Sequence, residues 1–325
     1  SKVDALYDEK RFWPDPLLQI NPHYANGGSI QDKINQGVLD PVCASIFKDK
    51  WGLEGQSDKT LKLRKHQEQA ISFAKSDQSY VVTTGTGSGK SLCFFIPIID
   101  AAIRAKKAGG KAKTRAIIIY PMNALANSQA KELEGYLGSA SKGEVTYARY
   151  TGQENDEERQ LIMANPPDIL LTNFMMLELL MTRQDDRDRK VLQNCEDLEF
   201  LVLDELHTYR GRQGADVAML MRRLRSRIGN PQKPPLCIGT SATMASEGAE
   251  REKNEAVASI ASQIFGTEIG PDAVVTETLD RVTNPQKIGN ADSNGLKDAI
   301  TLAAKGEVGI GKRNSEFFND PLAIW

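Results

Sequence analysis

A chain of 325 residues with 40% hydrophobic and 26% charged residues has ample material for a packed core, in two domains or one large α/β domain with extensions. Its formal net charge of −2 excludes a bulk-basic nucleic-acid binder, so any such contact must use local patches. Cys43, Cys93, Cys195 and Cys237 form no C-x-x-C pair, and His23, His66 and His207 lack metal-ligand spacing, which argues against a disulfide framework and a structural zinc site.

Cys93 and Cys237 sit in apolar runs and read as reduced core residues. No apolar run approaches about 18 residues and the N-terminus has no signal-peptide pattern, so a cytoplasmic protein without membrane contact is expected.

Residues 1–60 mix aromatics, prolines and glycines and read as an irregular accessory segment with short helices near 30–38 and 41–50, covering the edge of the main domain. A helix is expected over 61–76, carrying Leu63-Arg64-Lys65-His66-Gln67. A glutamine shortly before a phosphate loop can bind adenine twice, accepting from N6 and donating to N7; the alternative is a solvated polar helix face. Gln67 lies 23 residues before Lys90, which favours the adenine reading. Trp51 or Phe47 would stack on the base or serve as core aromatics.

The chain is organised around Thr83-Thr84-Gly85-Thr86-Gly87-Ser88-Gly89-Lys90-Ser91. An apolar strand ending in Tyr80-Val81-Val82 feeds this turn and a helix from Leu92 to Ile103 leaves it, the context that a phosphate loop requires. Glycines let successive N–H groups point inward and the helix start adds its positive end. Lys90 would reach the outer phosphates of ATP and the Ser91 hydroxyl would hold Mg²⁺. The first glycine of the strict pattern is replaced by Thr84.

Beyond the loop, Ala116–Tyr120 is a continuous β-branched run, expected of a strand buried on both faces, and ends in Pro121-Met122-Asn123-Ala124. Further strands are expected at 144–150, ending in Thr151-Gly152, and at 168–171, ending in Thr172-Asn173. Arg183 to Lys190 reads as a mixed-charge loop. Phe200–Leu203 delivers Asp204-Glu205-Leu206-His207, and a helix near 214–228 carries Arg222, Arg223, Arg225 and Arg227, which serve either the helix dipole or nucleic acid. The strand 236–239 runs into Thr240-Ser241-Ala242-Thr243. A helix over 249–265 and a short strand at 273–276 close the pattern, and 283–325 reads as a linker or insertion.

Strands alternating with helices imply a parallel sheet covered on both faces, and ligands of such sheets collect at the carboxyl ends of the strands. Lys90, Ser91, Asp204 and Glu205 all fall there. Asp204 is placed to hold Mg²⁺, and Glu205 to polarise the water that attacks the γ-phosphate.

These residues together resemble superfamily 2 DExH-type (DEAD/DEAH box) helicases. The resemblance implies a RecA-like lobe at 61–282 that uses ATP and Mg²⁺, with Gln67 as the adenine-reading motif and 84–91 as motif I, where the family tolerates a non-glycine at position 84. It implies nucleic-acid backbone contacts from Pro121, Asn123, Ala124, Thr151, Gly152, Thr172 and Asn173, with DNA the favoured partner, and coupling between lobes through His207, Ser241 and Thr243. Thr208-Tyr-Arg-Gly-Arg-Gln-Gly214 is similar to bacterial YprA/MrfA-type helicases and, more loosely, to motors of phage-defence systems. Helicases of this kind close two lobes around ATP. Roughly 80 residues after Thr243 cannot build a second lobe, so the chain is expected to be the first lobe of a longer motor, slow at hydrolysis alone. The other readings are a duplex translocase of a restriction or defence complex, with partner subunits there or in DNA repair, and a nucleotide-switched interaction module.

Overall fold

The computed structural model describes residues 23–48, 60–85, 87–138, 144–242, 250–280, 297 and 300–302. Trp51, Thr86, Thr243 and nearly all of the expected linker lie outside the described residues. Ala25–Thr278 form one compact unit; in the other, Tyr24 bridges Leu279 and Asp280 N–H donates to His23 O at 2.7 Å.

The first elements are β1 (Asn26–Ser29), α1 (Ile30–Asn35), α2 (Cys43–Ile46), β2 (Lys62–Arg64) and α3 (Lys65–Lys75). The region expected to open on a helix at 61 starts with a strand instead, because Lys62–Arg64 pairs antiparallel with the glycine-rich β1. Gly27 is needed there: a Cβ would lie 2.6 Å from Arg64 O. Ile30, Leu39, Cys43, Ile46 and Phe47 join the main core, so residues 25–48 pack within the large unit. Phe47 is fully buried with its ring centroid 5.5 Å from that of Tyr136, a core aromatic rather than a base-stacking one.

Then come β3 (Tyr80–Thr83), α4 (Leu92–Lys107), β4 (Ala116–Tyr120), α5 (Asn123–Leu137), β5 (Tyr147–Tyr150), α6 (Asp156–Ala164), β6 (Ile169–Asn173), α7 (Phe174–Thr182), α8 (Asp186–Gln193), β7 (Phe200–Leu203), α9 (Gly211–Ile228), β8 (Leu236–Ser241), α10 (Glu250–Phe265) and β9 (Val274–Thr276). The seven strands from β3 onward form one parallel sheet in the order β5-β6-β4-β7-β8-β3-β9. Successive strand residues point to opposite faces, yet Val81, Val82 and Ile117 to Ile119 are all fully buried, so helices cover both faces as expected. This is a RecA-like fold.

Two local details place the site. Pro97 lies inside α4 and cannot donate to Cys93 O four residues back; the Tyr80 hydroxyl of β3 donates to that carbonyl instead, at 2.6 Å. The helix leaving the phosphate loop is thereby pinned to the strand entering it. The segment 183–190, expected as a loop, is mostly helix α8: Asp185 caps its N-terminus and Val191 and Leu192 bury its last turn.

Candidate functional site

The phosphate loop is shaped by its neighbours as much as by its glycines. Gly87 and Gly89 have φ of +78° and +73°, a region that favours glycine, and a Cβ on Gly89 would lie 2.7 Å from Gln67 Nε2. Thr84 is fully buried and its hydroxyl lies 2.6 Å from Ser88 Oγ, so the residue that breaks the strict glycine pattern ties the two sides of the loop together.

Three side chains from the β2–α3 segment hold three successive loop carbonyls. Arg64 Nη1 donates to Gly87 O at 2.8 Å, His66 Nε2 lies 2.9 Å from Ser88 O, and Gln67 Nε2 donates to Gly89 O at 3.1 Å. In a trans peptide the N–H points opposite to the C=O, so drawing the carbonyls of Ser88 and Gly89 outward turns the amides of Gly89 and Lys90 toward the other side. That is the arrangement an anion-binding loop needs. Gln67 is 2% exposed and its Oε1 accepts from Arg64 N–H at 2.9 Å, so both ends of the expected adenine-reading amide are committed to protein in this structure.

Parallel register carries the other half of the site to the same rim. Leu203 pairs with Gly239, which sets Asp204 beside Thr240 one step further on. The Thr240 hydroxyl donates to Asp204 Oδ1 and accepts from Glu205 N–H at 3.2 Å. Burial pushes the Asp204 carboxyl up to about 6, with the charge of Glu205 adding to it and the Thr240 hydroxyl and Lys90 opposing. Glu205 has φ 54° and ψ 53°, a left-handed conformation that disfavours a non-glycine residue by roughly 1–2 kcal/mol. In that turn its Oε1 lies 4.0 Å from Lys90 Nζ and its Oε2 lies 3.2 Å from His207 Nδ1. Lys90 Nζ also donates to Thr84 O at 3.2 Å. His207 Nδ1 is 3.2 Å from Ser241 Oγ and 3.4 Å from Ala242 N, so two of the three residues expected to couple lobes, His207 and Ser241, meet.

These groups fit a nucleotide with a divalent cation. The Ser91 hydroxyl makes no capping bond to α4, and Asp204 is a carboxyl that burial leaves costly to ionise without a cation. Among the described residues no group of three or more His, Cys, Asp and Glu side chains makes a metal site, so a cation here would depend on the phosphates as ligands.

A second constellation lies further along the rim. Pro121, Asn123, Thr151, Gly152 and Asn173 line a groove of about 360 Å³ with Phe174 and Met175. Asn173 ties it together, donating from Nδ2 to Asn123 Oδ1 at 2.5 Å and to Thr151 O at 3.1 Å while its Oδ1 caps α7. Two of the expected nucleic-acid residues stand apart from the lining. Thr172 is fully buried and its hydroxyl donates to Tyr150 O at 2.7 Å, because it faces inward on β6; Ala124 is exposed on α5. The amides of Thr151 and Gly152 donate to Glu154 Oε2 at 2.7 and 2.9 Å, and the Thr151 hydroxyl to Oε1 at 2.8 Å.

Sequence reasoning missed Arg64, His66 and Thr240 as parts of the site, although each lies within three residues of a residue it did select. The four arginines of α9 resolve toward structure: Arg222 and Arg225 donate to carbonyls at 263, 265 and 266, Arg223 pairs with Glu178, and Arg227 donates to Met181 O.

The chain is similar to known proteins. The helicase YprA of Bacillus subtilis (strain 168), named as an uncharacterized ATP-dependent helicase, is 31% identical over 180 residues, covering 55% of this chain and 23% of its own. Druantia protein DruE of Escherichia coli (strain UMEA 4076-1) is 29% identical over 296 residues, covering 58% and 16%. The crystal structure of the helicase MrfA bound to DNA and AMPPNP superposes with a TM-score of 0.60 over 93% of this chain and 39% of that one; at 22% identity it shows the fold alone. The chain thus spans less than a quarter of either of these two curated relatives. The family profile of the DEAD/DEAH box helicases matches residues 64–251, from the first brace on the phosphate loop to beyond the 241–243 motif, and the chain belongs to that family.

Proposed function

We propose that this chain is the ATP-binding N-terminal motor lobe of an ATP-dependent DNA helicase or translocase of the cytoplasm. The motor lobe would span 61–282, with 1–60 as an accessory segment and 283–325 leading toward a second RecA-like lobe. The observation that carries the proposal is the meeting of Lys90 Nζ, Glu205 Oε1 and the buried Asp204 at the carboxyl rim of a parallel sheet. In the reaction, Lys90 releases Thr84 O and neutralises the outer phosphates, while Glu205, held in its left-handed turn, orients the attacking water and takes up its proton. Mg²⁺, bound by Ser91 and Asp204 together with the phosphates, would neutralise the charge that develops on them. His207 and Ser241 link the water-orienting carboxylate to the strand that follows, the route by which a second lobe would sense the site.

The second lobe would bring an arginine, an effect of about 10³–10⁵ in rate, so the isolated chain should bind Mg-ATP and turn it over very slowly. DNA is the favoured partner because the structural neighbours MrfA and Lhr have been solved bound to it. The match to DruE and the 208–214 segment leave a defence motor that translocates without unwinding beside the helicase reading. Equilibrium titration with Mg-ATP is the first test: the parent chain should bind, and Lys90→Ala should weaken binding by about 10- to 100-fold, the loss of one charge-assisted contact. Turnover by this chain at the rate of a complete helicase, abolished by the same substitution, would refute the need for a second lobe. Strand-displacement beside triplex-displacement assays on the longer protein would separate unwinding from translocation.

A further inference from the structure

The phosphate loop holds a residue that no part of the motor reading uses. Thr83 pairs with Thr276 on the edge strand β9, and one step beyond that pair Glu277 comes level with the start of the loop. Its Oε2 accepts from Gly85 N–H at 2.8 Å. The carbonyl of the same Thr84–Gly85 peptide accepts from Lys90 Nζ at 3.2 Å. One peptide unit is therefore clasped between an ammonium on its oxygen side and a carboxylate on its N–H side. The pair polarises that peptide in one direction, each end strengthening the other.

A nucleotide changes both ends of this clasp. Lys90 is the only lysine or arginine of the loop, and on the motor reading it leaves Thr84 O for the phosphates. Glu277 then faces a peptide without its opposing charge, and its own negative charge stays hydrogen-bonded to the first peptide of a loop receiving a polyanion. Repulsion between like charges several ångström apart in a half-exposed site is worth a few-fold to tenfold in an equilibrium constant.

We propose that Glu277 is an affinity-setting residue of the nucleotide site: its carboxylate is an acidic placeholder on the phosphate loop, and it opposes occupancy in proportion to the negative charge of the nucleotide. This rests on the motor reading of the loop. It makes the empty loop a stable conformation, with the Gly85 amide already satisfied, and it favours release of the more highly charged nucleotide.

Glu277→Gln tests this, because a side-chain amide still offers Gly85 an acceptor oxygen while removing the charge. Titrations of the parent, Glu277→Gln and Lys90→Ala with Mg-ATP, Mg-ADP and adenosine would be read together, with thermal midpoints in the absence of nucleotide to confirm folding. The expected result is Mg-ATP bound about three- to tenfold more tightly by Glu277→Gln, Mg-ADP by a smaller factor, and adenosine unchanged. Glu277→Ala, which removes charge and brace together, should shift in the same direction by less. Unchanged or weaker Mg-ATP binding by a folded Glu277→Gln would overturn the placeholder, as would an equal gain for adenosine. If the parent binds and Lys90→Ala does not, such a failure leaves the motor reading standing; a parent that binds no nucleotide overturns both.

Discussion

The two glycine-containing turns at the carboxyl rim, 84–91 and 151–152, look alike in sequence and differ in what their amides already hold. At the first, the carbonyls of Gly87, Ser88 and Gly89 are drawn away by Arg64, His66 and Gln67, which turns the amides of Gly89 and Lys90 to the other side. At the second, the amides of Thr151 and Gly152 and the Thr151 hydroxyl all donate to Glu154. In the first turn the bracing side chains leave the amides of Gly89 and Lys90 facing away from them, as an anion site needs. When a carboxylate lies two or three residues on, the same backbone closes on itself.

The largest effect expected from breaking this contrast is at the braced turn's partner strand. Asp204 sits with its carboxyl raised to about 6 by burial, so in the absence of a cation its ionisation opposes folding. The sign follows from linkage: the penalty is absent below the unfolded value near 4, grows between pH 4 and 6, and is complete above that. Asp204→Asn should therefore melt higher than the parent at pH 7.5, by about 1–3 kcal/mol of stability, and match it at pH 4. Adding Mg-ATP should close the gap by stabilising the parent alone. Equal melting of the two proteins at pH 7.5 would place Asp204 in a solvated setting and undo the cation-site argument.

At the closed turn the expected effect is somewhat smaller and of opposite pH sense. Burial pushes the Glu154 carboxyl up, but the hydrogen bonds from Thr151 and Gly152 outweigh it and hold the group below its usual range. Its stabilisation is present above the unfolded value near 4.5 and is lost as pH falls through the lower folded value. Glu154→Ala should cost about 1–2 kcal/mol at pH 7 and less in acid, measured by denaturant titration. It also bares two amides in the groove, so binding of single-stranded DNA should rise. A fall in DNA affinity by a folded variant would mean that the carboxylate positions a contact, and the contrast between the turns would lose its functional half.

Much of the sheet was readable in advance, because the buried strands are uninterrupted apolar runs and each ends in polar residues at the rim. The meeting of Lys90, Asp204 and Glu205 was readable for the same reason, since strand ends in a parallel sheet converge. What escaped depends on pairings distant in sequence. The strand Lys62–Arg64 exists because it finds Asn26–Ser29, and Arg64 and His66 matter because that pairing brings them under the loop. Helix α8 escaped because its apolar residues, Val191 and Leu192, are confined to one turn, too short a stretch for a period to show. Glu154 shows the converse limit: the Thr-Gly pair was visible, but which acceptor its amides would find was not.

The smallest expected effect tests the claim that the groove, rather than helix α9, is the strand-binding half of the rim. Arg222 Nη2 donates to Gln263 O at 2.8 Å and Arg227 Nη1 to Met181 O at 2.9 Å, so both guanidinium groups serve to fasten α9 to its neighbours. A phosphate contact by either would appear in the salt dependence of DNA binding, at nearly one unit of slope per contact. Arg222→Ala with Arg227→Ala should leave that slope unchanged while lowering stability by about 1 kcal/mol, the loss of two exposed hydrogen bonds to carbonyls. A slope reduced by one or more units would move the DNA path onto α9, and the comparison of the two turns would then concern nucleotide binding alone.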